Sequence, residues 1–273
     1  MTLQDHFYDR LRAAQHVNDS WLCVGLDPLA DTMGNDRPEV LLDFCRAAVD
    51  QTADLVCAYK PNLAHWLRMG GAGIDALTAL IRHIPAAIPV ILDAKFGDIG
   101  ATAAHYRHFA FETLGVTAVT LSPYIGSDAI QPFLGDPTRG LFILARTSNV
   151  SGNEFQAVGS PSLYEQVTRE VVRLSANHVG QFGLVVGATQ PDELRHIRSI
   201  APALPFLIPG IGAQGGSLEA AIRYGATSDG LGPLLTVGRA LLYGDSTQTI
   251  RDRALAWQQQ IRQISHASRS AQP

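Results

Sequence analysis

Cysteine is scarce in this chain. There are three, Cys23, Cys45 and Cys57, and no two form a CxxC pair. An odd count argues against a disulfide framework. Cys23 and Cys57 sit inside apolar runs, so the expectation is buried free thiols. An excess of basic charge is also missing. The net charge is −4, so no basic surface points to nucleic acid or to an anionic membrane. No run approaches the ~20 apolar residues of a membrane span. The N-terminal stretch M-T-L-Q-D-H-F-Y-D-R-L has no apolar signal core, and the expectation is a soluble, cytoplasmic protein. His65, His83, His105, His108, His178 and His196 fall on or beside predicted helices without paired metal spacing, so no metal site is expected. No G-x-S-x-G or Cys–His signature supports covalent hydrolysis.

Apolar residues make up 46% of the 273 positions, enough for a sizeable core. They fall into eight short runs, at residues 21–26, 55–59, 90–92, 116–121, 141–145, 184–186, 206–208 and 234–237, each read as a strand. Helical spacing is predicted between them, over 39–52, 74–84, 101–114, 127–134, 163–178, 192–200 and 218–224, with flanking helices at 3–17 and 248–265. Residues 30–37 read as a polar loop, 149–161 as a polar loop containing glycine, and Ser217 as a helix cap. Strict alternation argues for a parallel sheet. Eight units in about 250 residues fit a closed (β/α)₈ TIM barrel, a single domain over residues 1–273 with the N-terminal helix closing the bottom. A doubly wound open sheet is the alternative. A dinucleotide-binding version would carry a glycine-rich turn after the first strand, and that turn reads G-L-D-P-L.

The most informative stretch is V-I-L-D-A-K-F-G-D-I-G-A-T, residues 90–102. Asp93 and Lys95 are two apart, a spacing that on a strand puts both side chains on one face. Gly97 breaks the strand. Asp98 lies beyond the break, four residues before Thr102, at the start of a predicted helix where a carboxylate suits the helix dipole. By itself this is also what a structural ion pair and a helix cap look like.

The pattern across strands goes further. Asp27, Lys60, Asp93, Lys95, Ser148, Gln214 and Arg239 all lie at or just past the C-terminal end of a predicted strand. In a barrel those ends form one rim, where active sites sit. After the seventh strand, P-G-I-G-A-Q-G-G lets the backbone approach an anion, and Gly238-Arg239 follows the eighth. A phosphate site is expected there. Ser122-Pro123-Tyr124 could line the pocket or pack.

Taken together, these motifs are recognisable. D-A-K-F-G-D-I-G-A-T resembles the D-x-K-x-x-D-I-x-x-T signature of the orotidine 5′-phosphate decarboxylase family, closest to its longer bacterial subclass. The G-L-D-P turn, Lys60-Pro61, Thr147-Ser148, P-G-I-G-A-Q-G-G and V-G-R-A are similar to that family in the same order, from about Trp21 to Tyr243. The resemblance implies a homodimeric barrel that converts orotidine 5′-monophosphate to UMP and CO₂ without metal or organic cofactor. It implies that Lys60, Asp93, Lys95 and Asp98 form a charged network, with Asp98 and Ile99 reaching the partner's site. Asp27 and, across the interface, Thr102 would bind ribose hydroxyls. Ser148 would contact the pyrimidine amide. Gln214, Gly238 and Arg239 would hold the phosphate, with Pro209 nearby. One departure is His65-Trp66-Leu67, where members often carry Phe-Phe-Glu, a difference that bears on packing after the second strand.

Two alternatives remain at this level. A sugar-phosphate decarboxylase or aldolase of the same superfamily would share the Asp-x-Lys-x-x-Asp core but use Mg²⁺, for which no extra carboxylate is evident beside Lys60. A catalytically dead nucleotide-binding module is the other.

Overall fold

The structure is a computed structural model that describes residues 6–212 and 214–270; residues 1–5, 213 and 271–273 lie outside it. Eight strands form one sheet: β1 (Leu22–Gly25), β2 (Ala58–Lys60), β3 (Ile91–Phe96), β4 (Ala118–Leu121), β5 (Gly140–Arg146), β6 (Phe182–Val186), β7 (Phe206–Ile208) and β8 (Leu234–Val237). Their order is β2-β1-β8-β7-β6-β5-β4-β3, and every pairing is parallel. Parallel bridges Tyr59–Val90 and Asn62–Asp93 join the two ends of that order and close the ring. The result is a (β/α)₈ TIM barrel in a single domain.

Strand residues alternate between two apolar layers, as a period of two requires. Leu22 and Val24 pack outward against the helices. Cys23, Ala58, Ile91, Ala118 and Phe142 point into the barrel. The helix Phe7–Val17 places Phe7 and Leu11 against that inner layer. It also packs against the N-terminal ends of β5 and β6. The Tyr8 hydroxyl donates to the Phe182 carbonyl, and a Cβ at Gly140 would meet the Phe7 ring at 2.6 Å.

Several elements differ from the sequence expectation. Residues 30–37 contain a turn of helix, Ala30–Met33. The stretch 127–134 forms two 3₁₀ turns, Ser127–Ala129 and Gln131–Phe133, because Pro132 cannot donate the bond that would continue an α-helix. The helix expected over 101–114 runs Gly100–His108 and then widens into a π turn at Phe109–Thr113. Ser217 does cap its helix, its side chain accepting the Ala220 amide at 3.1 Å.

A short helix, Leu63–Leu67, follows β2. It carries the His65-Trp66-Leu67 departure. Trp66 is fully buried in the main core. The next helix, Gly70–His83, crosses so close that a Cβ at Gly73 would lie 2.0 Å from the Trp66 carbonyl oxygen.

Candidate active site

All seven polar residues expected at the rim meet in one place. Asp27, Lys60, Asp93, Lys95, Ser148, Gln214 and Arg239 line a cavity of about 650 Å³ at the C-terminal ends of the strands, a size suited to a small-molecule ligand. Pro209 and Gly238 line it too. Its floor is the inward face of the barrel, with Thr120, Leu144, Val185, Leu207 and Thr236.

At one wall the charges form a chain. The Lys60 ammonium lies 2.7 Å from Asp93 Oδ2, and the Lys95 ammonium 2.5 Å from Asp93 Oδ1. Lys60 is buried and Asp93 largely so, whereas the Lys95 side chain is 47% exposed. Asp27 stands at the end of β1 and accepts the Asn62 amide at 2.9 Å. Burial by itself would raise the Asp93 carboxyl. Lys60, then Lys95, outweigh it and hold the group well below the usual carboxylate range. Burial by itself would lower the Lys60 ammonium. Asp93, then Asp27, outweigh it and raise Lys60 above its ordinary value.

These directions set a pH dependence. A lowered carboxyl stabilises the fold above its unfolded value, 3.8, and that stability is lost as pH falls through the folded value. A raised ammonium stabilises the fold below its unfolded value, 10.5, and is lost as pH rises through the folded one. The pair therefore contributes fully across neutral pH. Asp93→Asn leaves Lys60 buried without its close partner and is expected to cost about 3 kcal/mol. The difference in Tm between parent and variant should be flat from about pH 5 to about pH 9 and narrow below about pH 4. Thermal melts across that range check it; a gap that persists undiminished in acid would remove the ion pair as its source.

The reason Asp93 and Lys95 meet is not the one the spacing suggested. β3 is not regular there. The β3–β4 register runs Leu92 with Val119 and then Phe96 with Leu121, and Lys95 has φ +52°. A left-handed backbone at a non-glycine residue costs about 1–3 kcal/mol and needs support from its surroundings. The contact expected from a flat strand is therefore made by a bulged one.

Ser148, at the end of β5, is approached by two glycines. A Cβ at Gly187 would meet the Ser148 backbone at 2.8 Å, and one at Gly210, which has φ +96°, would meet its side chain at 3.0 Å. Gln214 follows in the same loop. Arg239 opens the short helix Arg239–Leu242 after β8 and faces the cavity, and its guanidinium makes no hydrogen bond or ion pair with the described residues. A glycine-rich turn, an amide side chain and a free guanidinium together suit a phosphate.

The sequence reading passed over Arg146, the last residue of β5. Its guanidinium is buried. It donates to Glu193 and Asn153, and at 3.2 Å to Gln156 Oε1, which also accepts the Thr147 amide at 2.9 Å. Arg146 so ties the segment 149–156 to the barrel, and Asn149, Phe155 and Gln156 of that segment wall the cavity. Burial of a strand-end arginine is a tertiary fact with no local signal. Ser122-Pro123-Tyr124 does not line this cavity; Pro123 borders a separate small groove.

Asp98, Ile99 and Thr102 are not brought to the cavity. They lie just beyond β3, at the N-terminal end of the helix Gly100–His108. Asp98 Oδ1 accepts the Ile99 amide at 2.8 Å, and Ile99 and Thr102 are exposed. The donor set near Asp93 does not fit a divalent cation, since two ammoniums occupy its carboxylate. Among the described residues no three His, Cys, Asp or Glu side chains cluster as metal ligands would.

Residues 20–250 match the orotidine 5′-phosphate decarboxylase / HUMPS family. The chain belongs to this family. Among similar proteins, the orotidine 5′-phosphate decarboxylase of Ralstonia nicotianae is 46% identical over 259 residues, covering 91% of this chain and 93% of that one. That of Thermomicrobium roseum is 47% identical over 264 residues, covering 94% and 93%. A crystal structure of a putative orotidine-monophosphate decarboxylase from Toxoplasma gondii superposes with a TM-score of 0.92 at 35% identity, covering 97% of this chain and 98% of that one. UMP synthase of Leishmania donovani matches at TM-score 0.87 and 42% identity; 95% of this chain is covered, but it spans only 56% of that longer protein. The seven cavity side chains all lie within the matched residues.

Proposed function

We propose that the chain decarboxylates orotidine 5′-monophosphate to UMP and CO₂ in pyrimidine biosynthesis. The observation that carries this reading is the Lys60–Asp93–Lys95 chain, whose outer ammonium stands open in a cavity that also holds Gln214 and Arg239. Breaking the C6–carboxylate bond leaves its electron pair on C6, in an orbital not conjugated with the ring carbonyls. A fixed ammonium stabilises that charge and then supplies the proton that forms the C6–H bond. Lys95 recovers its proton from water. Asp93 holds Lys95 in place, and Lys60 keeps Asp93 ionised. Asp27 takes a ribose hydroxyl, Ser148 the pyrimidine amide, and Gln214, Gly238 and Arg239 the phosphate, beside Pro209. Phosphate binding, remote from C6, helps to drive closure over the ring.

The active unit in this reading is a homodimer with shared sites. Asp98, Ile99 and Thr102 sit on the rim outside their own cavity. Ile99 (52% exposed) and Tyr124 (74%) are large apolar side chains left open just after β3 and β4, as a face covered by a second copy would be. A soluble nucleotide substrate and three buried free thiols support a cytoplasmic location.

The direct test follows the absorbance of orotidine 5′-monophosphate after adding purified protein with EDTA present. The absorbance should fall. Unchanged absorbance beside measurable UMP binding would leave only a nucleotide-binding module. Arg239→Ala is expected to cost about 3 kcal/mol in kcat/KM, roughly 10²-fold, for the full substrate. It should cost little for a substrate lacking the phosphate. Equal losses for both substrates would move Arg239 out of the phosphate site.

A further inference from the structure

Between Leu92–Val119 and Phe96–Leu121, three residues of β3 face a single residue of β4. Those three are Asp93, Ala94 and Lys95; the one is Thr120. The ladder cannot supply an acceptor for each amide of such a bulge. A side chain does so instead. Thr120 Oγ1 accepts the Ala94 amide at 3.1 Å and the Lys95 amide at 2.9 Å. Its hydroxyl donates to Asp93 Oδ1 at 3.2 Å, the oxygen that also binds the Lys95 ammonium. Two acceptances and one donation use the full capacity of a hydroxyl.

Thr120 lies on the inward face of β4, between Val119 and Leu121 of the outer layer, and is 1% exposed. It borders the cavity floor. At Lys95 the backbone has φ +52°, a conformation that a lysine holds only when its surroundings impose it. The bonds to the Ala94 and Lys95 amides are that imposition.

We propose that Thr120 is a positioning residue: its hydroxyl fixes the bulge at Ala94–Lys95 and thereby sets where the Lys95 ammonium stands relative to Asp93. The proposal rests on the decarboxylase reading only for its kinetic consequence. Thr120→Val keeps the shape and removes the hydroxyl, leaving the two amides without that acceptor. Lys95 then relaxes from the left-handed region, and the ammonium moves away from its working position.

Orotidine 5′-monophosphate turnover by the parent protein is measured first; its absence would defeat the functional reading and leave the backbone claim standing. Given turnover, Thr120→Val should lower kcat by about 10²-fold, the scale of an ångström-size misplacement, and change the Kd for UMP by less than about threefold. Thr120→Ser, which restores the hydroxyl, should return kcat to within about fivefold of the parent. Amide hydrogen exchange read by NMR gives a second measure. The Ala94 and Lys95 amides should exchange slowly in the parent and the serine variant and fast in the valine variant. A valine variant with parental kcat, or a serine variant as impaired as the valine one, would overturn the proposal. So would fast exchange of the Lys95 amide in the parent, a result that decides the matter even if Thr120→Val does not fold.

Discussion

Lys95→Ala is expected to abolish decarboxylation, by about 10³-fold or more, while UMP binding stays within about tenfold, or ~1.4 kcal/mol. The two effects separate because of where the side chain sits. Lys95 is half open to the cavity, and its carboxylate partner is shared with the buried Lys60. Removing the ammonium therefore leaves Asp93 paired and the barrel wall intact. UMP already carries a proton at C6, so a group proposed to stabilise a carbanion and deliver that proton has little left to do for the product. In the proposed reading, phosphate and ribose contacts fall to other residues, those after β7, β8 and β1. Turnover and UMP titration on the same preparation, with a thermal melt, give the answer. Loss of UMP binding together with a large fall in Tm would mean that Lys95 serves the fold through its ion pair.

The second large effect concerns Asp98. In one chain its carboxylate lies past Gly97, accepts the Ile99 amide, and lies outside its own cavity. If it completes the site of a partner, each site takes Lys95 from one subunit and Asp98 from the other. Asp98→Ala and Lys95→Ala homodimers should then both be nearly inactive, because every site lacks one group. Mixing them with subunit exchange produces dimers in which one site is intact and the other lacks both groups. Random pairing makes about half the dimers mixed, so roughly a quarter of all sites should recover activity. Exchange is verified with a tagged subunit. Verified mixed dimers without recovered activity would show that Asp98 acts in its own subunit's site or in none.

Much of the architecture is legible from local pattern. Short apolar runs alternate with helical periodicity, and a parallel sheet buried on both faces requires that alternation. The ends of those runs also reveal the rim: Asp27, Lys60, Asp93, Lys95, Ser148, Gln214 and Arg239 each follow an apolar stretch, and the barrel topology alone brings them to one cavity. Pro132, which splits a predicted helix into two 3₁₀ turns, could have been read from the sequence too, since a missing amide is a local property.

Other features depend on contacts between distant residues. Asp93 and Lys95 touch, but through a bulge that Thr120 of the neighbouring strand supports, and no spacing within β3 encodes that. Arg146 looks like one more polar strand end. Only the folded chain shows it buried and tied to Glu193 from one direction and to Asn153 and Gln156 from another. Trp66 reads as a departure in a loop and proves to be core, packed among residues from distant parts of the chain. The sequence determined which side chains stand at the strand ends, since strand and helix periods are properties of neighbouring residues. The tertiary structure decided which of them share a cavity, which backbone conformation carries Lys95, and that Asp98 stands apart from its own site, because each of these depends on groups brought together from different strands.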